Sequence, residues 1–208
     1  MGNLTFYTNP MSRGQIARWA LEESGADYED HILQYGTTMK EPAYLAINPM
    51  GKVPAIRHGE TIVTEAAAIT TYLADAFPEK KLAPPVAERG AYYRWLFFTS
   101  GPLEAAITSR ALGLEPKPDQ MAMAGFGNMD AVLNTLDGLL QEKEFIAADY
   151  FTAADLYLGA QLDFGMNFNT IEKRPSFVAY RDRVTDREAY RKAKEKDNQL
   201  IAQQQQQQ

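Results

Sequence analysis

No cysteine occurs among the 208 residues. Disulfides, thiolate metal sites and a protein-borne thiol nucleophile are therefore excluded. Histidine is almost as scarce: His31 and His58 are the only two, with no HExxH or clustered spacing, which argues against a dedicated transition-metal site. No apolar run reaches membrane-spanning length, and MGNLTFYTNP lacks a basic-then-apolar leader pattern, so a cytoplasmic protein without a membrane partner is expected. Asn3-Leu4-Thr5 fits a glycosylation sequon, which reads as chance without a secretion signal. Positive charge is in deficit as well. The net charge is −6 and no Lys/Arg stripe appears before the mixed-charge stretch 181–196, so nucleic acid is a poor partner.

What is present is ordinary for a globular chain: 45% hydrophobic and 23% charged residues, long enough for one large or two small domains. Leu4–Thr8 reads as a strand, broken by Asn9-Pro10. An amphipathic helix over 13–24 follows, with Ile16, Ala17, Ala20 and Leu21 on one face and Gly25 as its stop. Residues 27–33 form a second strand, parallel to the first because a helix crosses between them. A polar segment, 34–48, leads to a hairpin of 55–58 and 61–63 around Gly59-Glu60. A helix over 66–77, with Thr64 available as its cap, completes a βαβ-ββα order.

The proline- and charge-rich PEKKLAPP at 78–85 marks a linker, placed at 80–86. Beyond it the period is helical, with helices expected over 87–112, 121–140, 155–168 and 177–193. The expected division is 1–79, the linker, a helical domain over 87–200, and a disordered poly-Gln tail over 201–208.

One stretch combines unusual chemistry. NPMGKVPAI at 48–56 carries a lysine and a proline where a strand begins. Proline has no N–H and suits edges, first strand positions or bends, so Val53-Pro54 reads as a bend that leaves the Val53 backbone free for an extended anionic ligand, with Lys52 beside it. An ordinary Asn-Pro-Met-Gly turn feeding an edge strand fits the same residues.

Four segments in this order and spacing, YTNPMSRGQIARWALEE at 7–23, EPAYLAINPMGKVPAI at 41–56, TEAAAITTYLADAFPE at 64–79 and FIAADYFTAADLYLG at 145–159, make the chain resemble the cytosolic glutathione transferases over nearly its whole length. The resemblance implies a thioredoxin-like N-terminal domain followed by an all-helical one, glutathione as co-substrate, a small apolar electrophile as second substrate, a homodimer and a detoxifying role. It implies that Val53, before Pro54, pairs with the cysteinyl backbone of glutathione, that Lys52 approaches its glycine carboxylate, and that Glu65 accepts from its ammonium group. Ala66 departs from the family's Ser or Thr, leaving only its N–H at a helix N-terminus for the γ-glutamyl carboxylate. Glu65 alone also reads as a first-turn acid favoured by the helix dipole.

The chemistry needs a thiolate, and a hydroxyl aimed at the sulfur stabilises one. By the resemblance, Ser12 and Tyr7 both qualify. Ser12 is preferred because it lies at a helix entrance, although Ser12-Arg13-Gly14-Gln15 is also a capping-box pattern. Tyr7 also reads as a half-buried strand residue, and Asn9 stands beside both in the first loop. Met11 with Tyr92, Trp95, Phe98 and Thr99 would face the electrophile between the domains, and Glu104 would reach a partner subunit. Thr152-Ala153-Ala154-Asp155 matches the family's buried capping motif, a folding element. The competing functions are a non-catalytic glutathione-binding or regulatory protein of the same fold, and a glutathione-dependent isomerase or dehalogenase.

Overall fold

In the computed structural model residues 4–206 are described; the asparagine of the Asn3-Leu4-Thr5 sequon lies outside them. Strand β1, Leu4–Thr8, alternates buried and half-buried residues, the signature of a strand covered on both faces to different depths. Helix α1, Gly14–Ser24, stops at Gly25, whose φ of 63° is the left-handed cap conformation that glycine adopts without a Cβ penalty. Strand β2, Tyr28–Ile32, runs parallel to β1 from Leu4↔Tyr28 to Thr8↔Ile32. The stretch expected to be merely polar holds a 3₁₀ turn, Thr38–Lys40, and a short helix α2, Pro42–Leu45. Strands β3, Ala55–His58, and β4, Thr61–Thr64, form the expected antiparallel hairpin. The sheet order is β2-β1-β3-β4, followed by helix α3, Ala66–Ala76.

The two sheet faces are covered differently. Phe6 and Ile56, paired in register, are fully buried, and α1 packs on α3. Elsewhere Leu33, Met39 and Tyr44 form a separate cluster, against which Tyr7, Ile47 and Val53 pack.

The second half is helical as expected, with different boundaries. The helix expected over 87–112 is α4, Gly90–Phe98, and α5, Glu104–Ala111, joined by a π-helical turn, Thr99–Leu103. Pro102 sits inside that turn and has no N–H to donate to a regular ladder. The next helix, α6, starts at Met129 and runs to Glu142, because the Asn128 side chain caps it through Ala131 N–H at 2.8 Å. Helix α7 is Ala153–Asn167. The single helix expected over 177–193 is two: α8, Pro175–Thr185, and α9, Glu188–Gln206.

Two expectations about the C-terminus need correction. The chain divides into two compact units, one reaching Leu82 and taking in the residues from Asp186 on, the other Ala83–Thr185, so α9 belongs with the sheet and not with the preceding helices. Residues 201–206, expected to be disordered, continue α9; glutamine is an adequate helix former once earlier turns are docked. The last two residues lie outside those described.

Charge holds α9 on α1. Arg18 is fully buried, its Nε 2.8 Å from Asp197 and its Nη1 2.8 Å from Asp30, with the guanidinium 5.1 Å from the centre of the Phe6 ring. Around it Glu22 pairs with Lys192 and Lys196, Glu23 with Arg187, and Trp19 meets Tyr190 edge-on. Burial raises the Asp197 carboxyl to about 6 against the pull of Arg18. Burial disfavours the charge on Arg18 too, but Asp197 and Asp30 together hold it firmly protonated.

Candidate active site

Register alone gathers the candidate residues. Tyr7 pairs with Ala55, and Ala55 with Thr64. The loop after β1, the bend before β3 and the start of α3 therefore meet at one end of the sheet, the end where α/β folds place ligands. Ser12 and Asn9 belong to the first segment, Lys52, Val53 and Pro54 to the second, Glu65 and Ala66 to the third.

In the first loop both side-chain polar atoms of Asn9 and its carbonyl are used. Its amide nitrogen donates to Leu33 C=O at 2.7 Å, its side-chain oxygen accepts from Met11 N–H at 3.0 Å, and its carbonyl accepts the Ser12 hydroxyl at 2.6 Å. Ser12 Oγ accepts in turn from Gly14 N–H at 2.9 Å. The expected capping bond from Gln15 N–H to the Ser12 side chain is replaced by one to the Ser12 carbonyl at 3.2 Å, with Arg13 in the cap position. Ser12 and Asn9 are buried, while the Met11 side chain is exposed.

Sequence reasoning passed over Gly14, although its place in the SRG triplet is the available signal. A Cβ there would stand 2.0 Å from Thr8 Oγ1 and 2.9 Å from Ser12 Oγ. Only glycine lets α1 begin this close to the end of β1. Gly14→Ala is expected to cost roughly 1–3 kcal/mol through overpacking and to displace Ser12, so a thermal melt and a thiol-ionisation assay should both register it.

The second segment is anchored from α2. Lys52 C=O accepts from Tyr44 Oη at 2.5 Å and from Asn48 Nδ2 at 2.9 Å, and Lys40 Nζ holds the carbonyls of Met50 and Gly51. Burial pushes the Tyr44 phenol up to about 12, so it stays a donor. Tyr44 and Asn48, both inside the EPAYLAINPMG run, hold the carbonyl just before the bend, a support that the residue types alone do not signal. The Val53-Pro54 peptide is cis; the ladder begins only at Ala55, leaving Val53 outside it. The Lys52 side chain is exposed.

At the third segment the cap of α3 is Glu65, not Thr64, with φ 67° and ψ 124° and no side-chain cap bond. A non-glycine residue at positive φ costs on the order of 1–3 kcal/mol and is retained where it serves a site. Here it turns the exposed Glu65 side chain outward while α3 presents the Ala66 N–H at its N-terminus.

Other candidates separate from these. The Tyr7 ring packs between His31 and Tyr44, at 5.2 and 5.6 Å. Tyr92, Trp95 and Thr99 are buried within the second unit, and Phe98 stacks edge-on to Trp95. Glu104 is bonded by Tyr157 Oη and by Gln161 Nε2, contacts within its own unit. Thr152 and Asp155 form the expected capping box. The Asp155 carboxylate accepts from Ile146 N–H, Thr152 N–H, Thr152 Oγ1 and Tyr180 Oη at 2.8–2.9 Å. Burial raises its carboxyl against those donors. Among the described residues no helix is long and apolar enough to cross a membrane, and no group of three or more side chains is placed to hold a metal ion.

The cis-proline bend, the serine loop and the start of α3 lie at one end of a thioredoxin-like sheet, and comparison with known proteins gives the class of enzyme built on that fold. The N-terminal domain of glutathione S-transferase matches residues 2–75, and the C-terminal domain of the same family matches 100–188. The chain belongs to the glutathione S-transferase family. Glutathione S-transferase F10 of Arabidopsis thaliana is 24% identical, over 93% of this chain and 97% of its own. Among solved structures, a glutathione transferase from Methylococcus capsulatus is 27% identical with a TM-score of 0.77, over 94% of this chain and 98% of that one. A sphingomonad glutathione S-transferase complexed with glutathione is 26% identical with a TM-score of 0.74, over 93% of this chain and 98% of that one. The fold class and enzyme class expected from the sequence are those returned.

Proposed function

We propose that this protein binds glutathione at the sheet end described above and uses Ser12 to hold its sulfur as a thiolate for attack on a small apolar electrophile. The carrying observation is the Ser12 hydroxyl, fixed at the start of α1 between Gly14 N–H and Asn9 C=O. In this reading the Gly14 N–H keeps Oγ in place while the O–H swings from the Asn9 carbonyl to the sulfur. The Val53 backbone pairs with the cysteinyl unit, Lys52 meets the glycine carboxylate, Glu65 accepts from the ammonium group, and Ala66 N–H meets the γ-glutamyl carboxylate. Exposed Met11 offers an apolar surface beside Ser12. As the sulfur attacks, a C–S bond forms while the carbon's bond to its leaving group breaks and that group departs as an anion, or, in an addition, a C=C π bond breaks and the far carbon takes a proton from water; the thiol proton has already left to solvent. Tyr7 takes a packing role, which its place between His31 and Tyr44 supports. A homodimer acting on toxic electrophiles in the cytoplasm is the assignment that family membership favours.

The test is the pKa of bound glutathione's thiol, read from thiolate ultraviolet absorbance against pH. A free thiol titrates near 8.5, and a drop of about two units would raise the thiolate fraction at neutral pH more than tenfold. The wild type should show the drop and Ser12→Ala should lose it, with turnover of a generic aromatic electrophile falling by a similar factor. An unshifted thiol in the wild type would make the protein a glutathione holder without activation.

A further inference from the structure

On the sheet face carrying Tyr7, a cavity of about 290 Å³ opens between α2 and the strands, and its lining includes none of Ser12, Lys52, Val53, Glu65 or Ala66. Its position follows from register: Tyr7 is opposite His31 on β2, and Arg57 lies two residues beyond Ala55, the β3 partner of Tyr7, so all three side chains share a face. Tyr44 of α2, Ile47 just after that helix and Glu41 just before it also line the cavity.

The lining is mostly apolar and aromatic with a few charged groups, the composition of a small-molecule site. The volume suits a ligand of one ring. Arg57 and Glu41 carry opposite charges in one cavity, yet among the described residues neither forms an ion pair, with each other or with any other side chain. Elsewhere the chain neutralises its cations readily, as at Arg110, Arg174, Arg181 and Arg191. Two unpaired charges from different segments, β3 and the residue before α2, in one lining with aromatic rings match a molecule that carries an anion, a hydrogen-bond donor and a flat apolar body.

We propose that this cavity is a second ligand site, distinct from the glutathione site, for a small aromatic carboxylate bearing a hydroxyl or amino group across the ring. The carboxylate lies on Arg57, whose planar fork suits bidentate pairing. The ring lies against Tyr7, Tyr44 and His31, and the donor reaches Glu41. No covalent step is involved.

The experiment is calorimetric titration of the full chain with 4-hydroxybenzoate and, separately, benzoate, with and without saturating glutathione. Saturable binding is expected, with an affinity on the order of a millimolar or tighter for so small a ligand. Arg57→Met should weaken 4-hydroxybenzoate more than tenfold, and Glu41→Gln should narrow its advantage over benzoate. Glutathione should leave the affinity unchanged. Both substitutions are at exposed positions, and a melt of each variant establishes that it is folded. The proposal is overturned by an absence of saturable heat, by equal binding to wild type and Arg57→Met, or by displacement of the ligand with glutathione.

Discussion

Asp155→Ala is expected to lower the unfolding free energy by roughly 4 kcal/mol, because it strands several buried donors at once. Among the described residues the carboxylate is the only acceptor of Ile146 N–H, Thr152 N–H and Tyr180 Oη, and it is fully buried, so water cannot replace it. Three segments would loosen together: the chain at 146, the cap at 152 and α8 through Tyr180. Asp155→Asn should cost less, since its remaining oxygen still serves one pair of donors while its amide opposes the other. Denaturant midpoints for the two variants should fall in that order. The bound-thiol pKa of whatever protein remains folded should match the wild type. Normal melting with lost catalysis would show that Asp155 acts in the chemistry instead of the fold.

Arg18→Met is expected to be comparably damaging at pH 7.5, by roughly 3–5 kcal/mol, since removing one partner of a buried ion pair leaves the other charge uncompensated. The sign of its pH dependence is specific. Asp197 titrates near 6 in the folded wild type, above its ordinary unfolded value. A raised carboxyl contributes stability that is present below the unfolded pKa and lost as pH rises through the folded one. Without Arg18 the folded value rises further, so the variant's deficit should shrink as the pH falls from 7.5 towards 5. The double variant Arg18→Met with Asp197→Leu should recover most of the loss at pH 7.5. A deficit that stayed constant with pH, or a double variant as weak as the single, would show that packing of the arginine stem dominates.

Legibility in the sequence tracked how local each interaction is. Strand β1, the β3–β4 hairpin and the Thr152–Asp155 cap were readable because alternation in β1, the Gly59-Glu60 turn and a capping box are each completed within a few residues. The gathering of Ser12, Lys52, Val53 and Glu65 was readable only through resemblance to a family, since no spacing rule brings those four positions together. The start of α6 was missed because the apolar residues at 121–126 fit a helical period, whereas Gly127, at φ 66°, and the Asn128 cap place the start later. The partner of Arg18 was invisible for a plainer reason: Asp197 lies 179 residues away. An arginine on an amphipathic helix then reads as solvated. The second hydrogen bond of Ser12, to Asn9 C=O, also depends on a loop geometry that residue types do not dictate.

The placement of α9 also bears on how the chain is made. A ribosome releases the β1–α3 segment, which already holds Asp30 beside Arg18, before residues 188–206, the helix that covers α1 and brings Asp197. The helical unit, Ala83–Thr185, is contiguous and can close as soon as it emerges. The unit to which we assign the thiol chemistry begins before the helical one and is sealed after it, with Arg18 holding only Asp30 until Asp197 emerges.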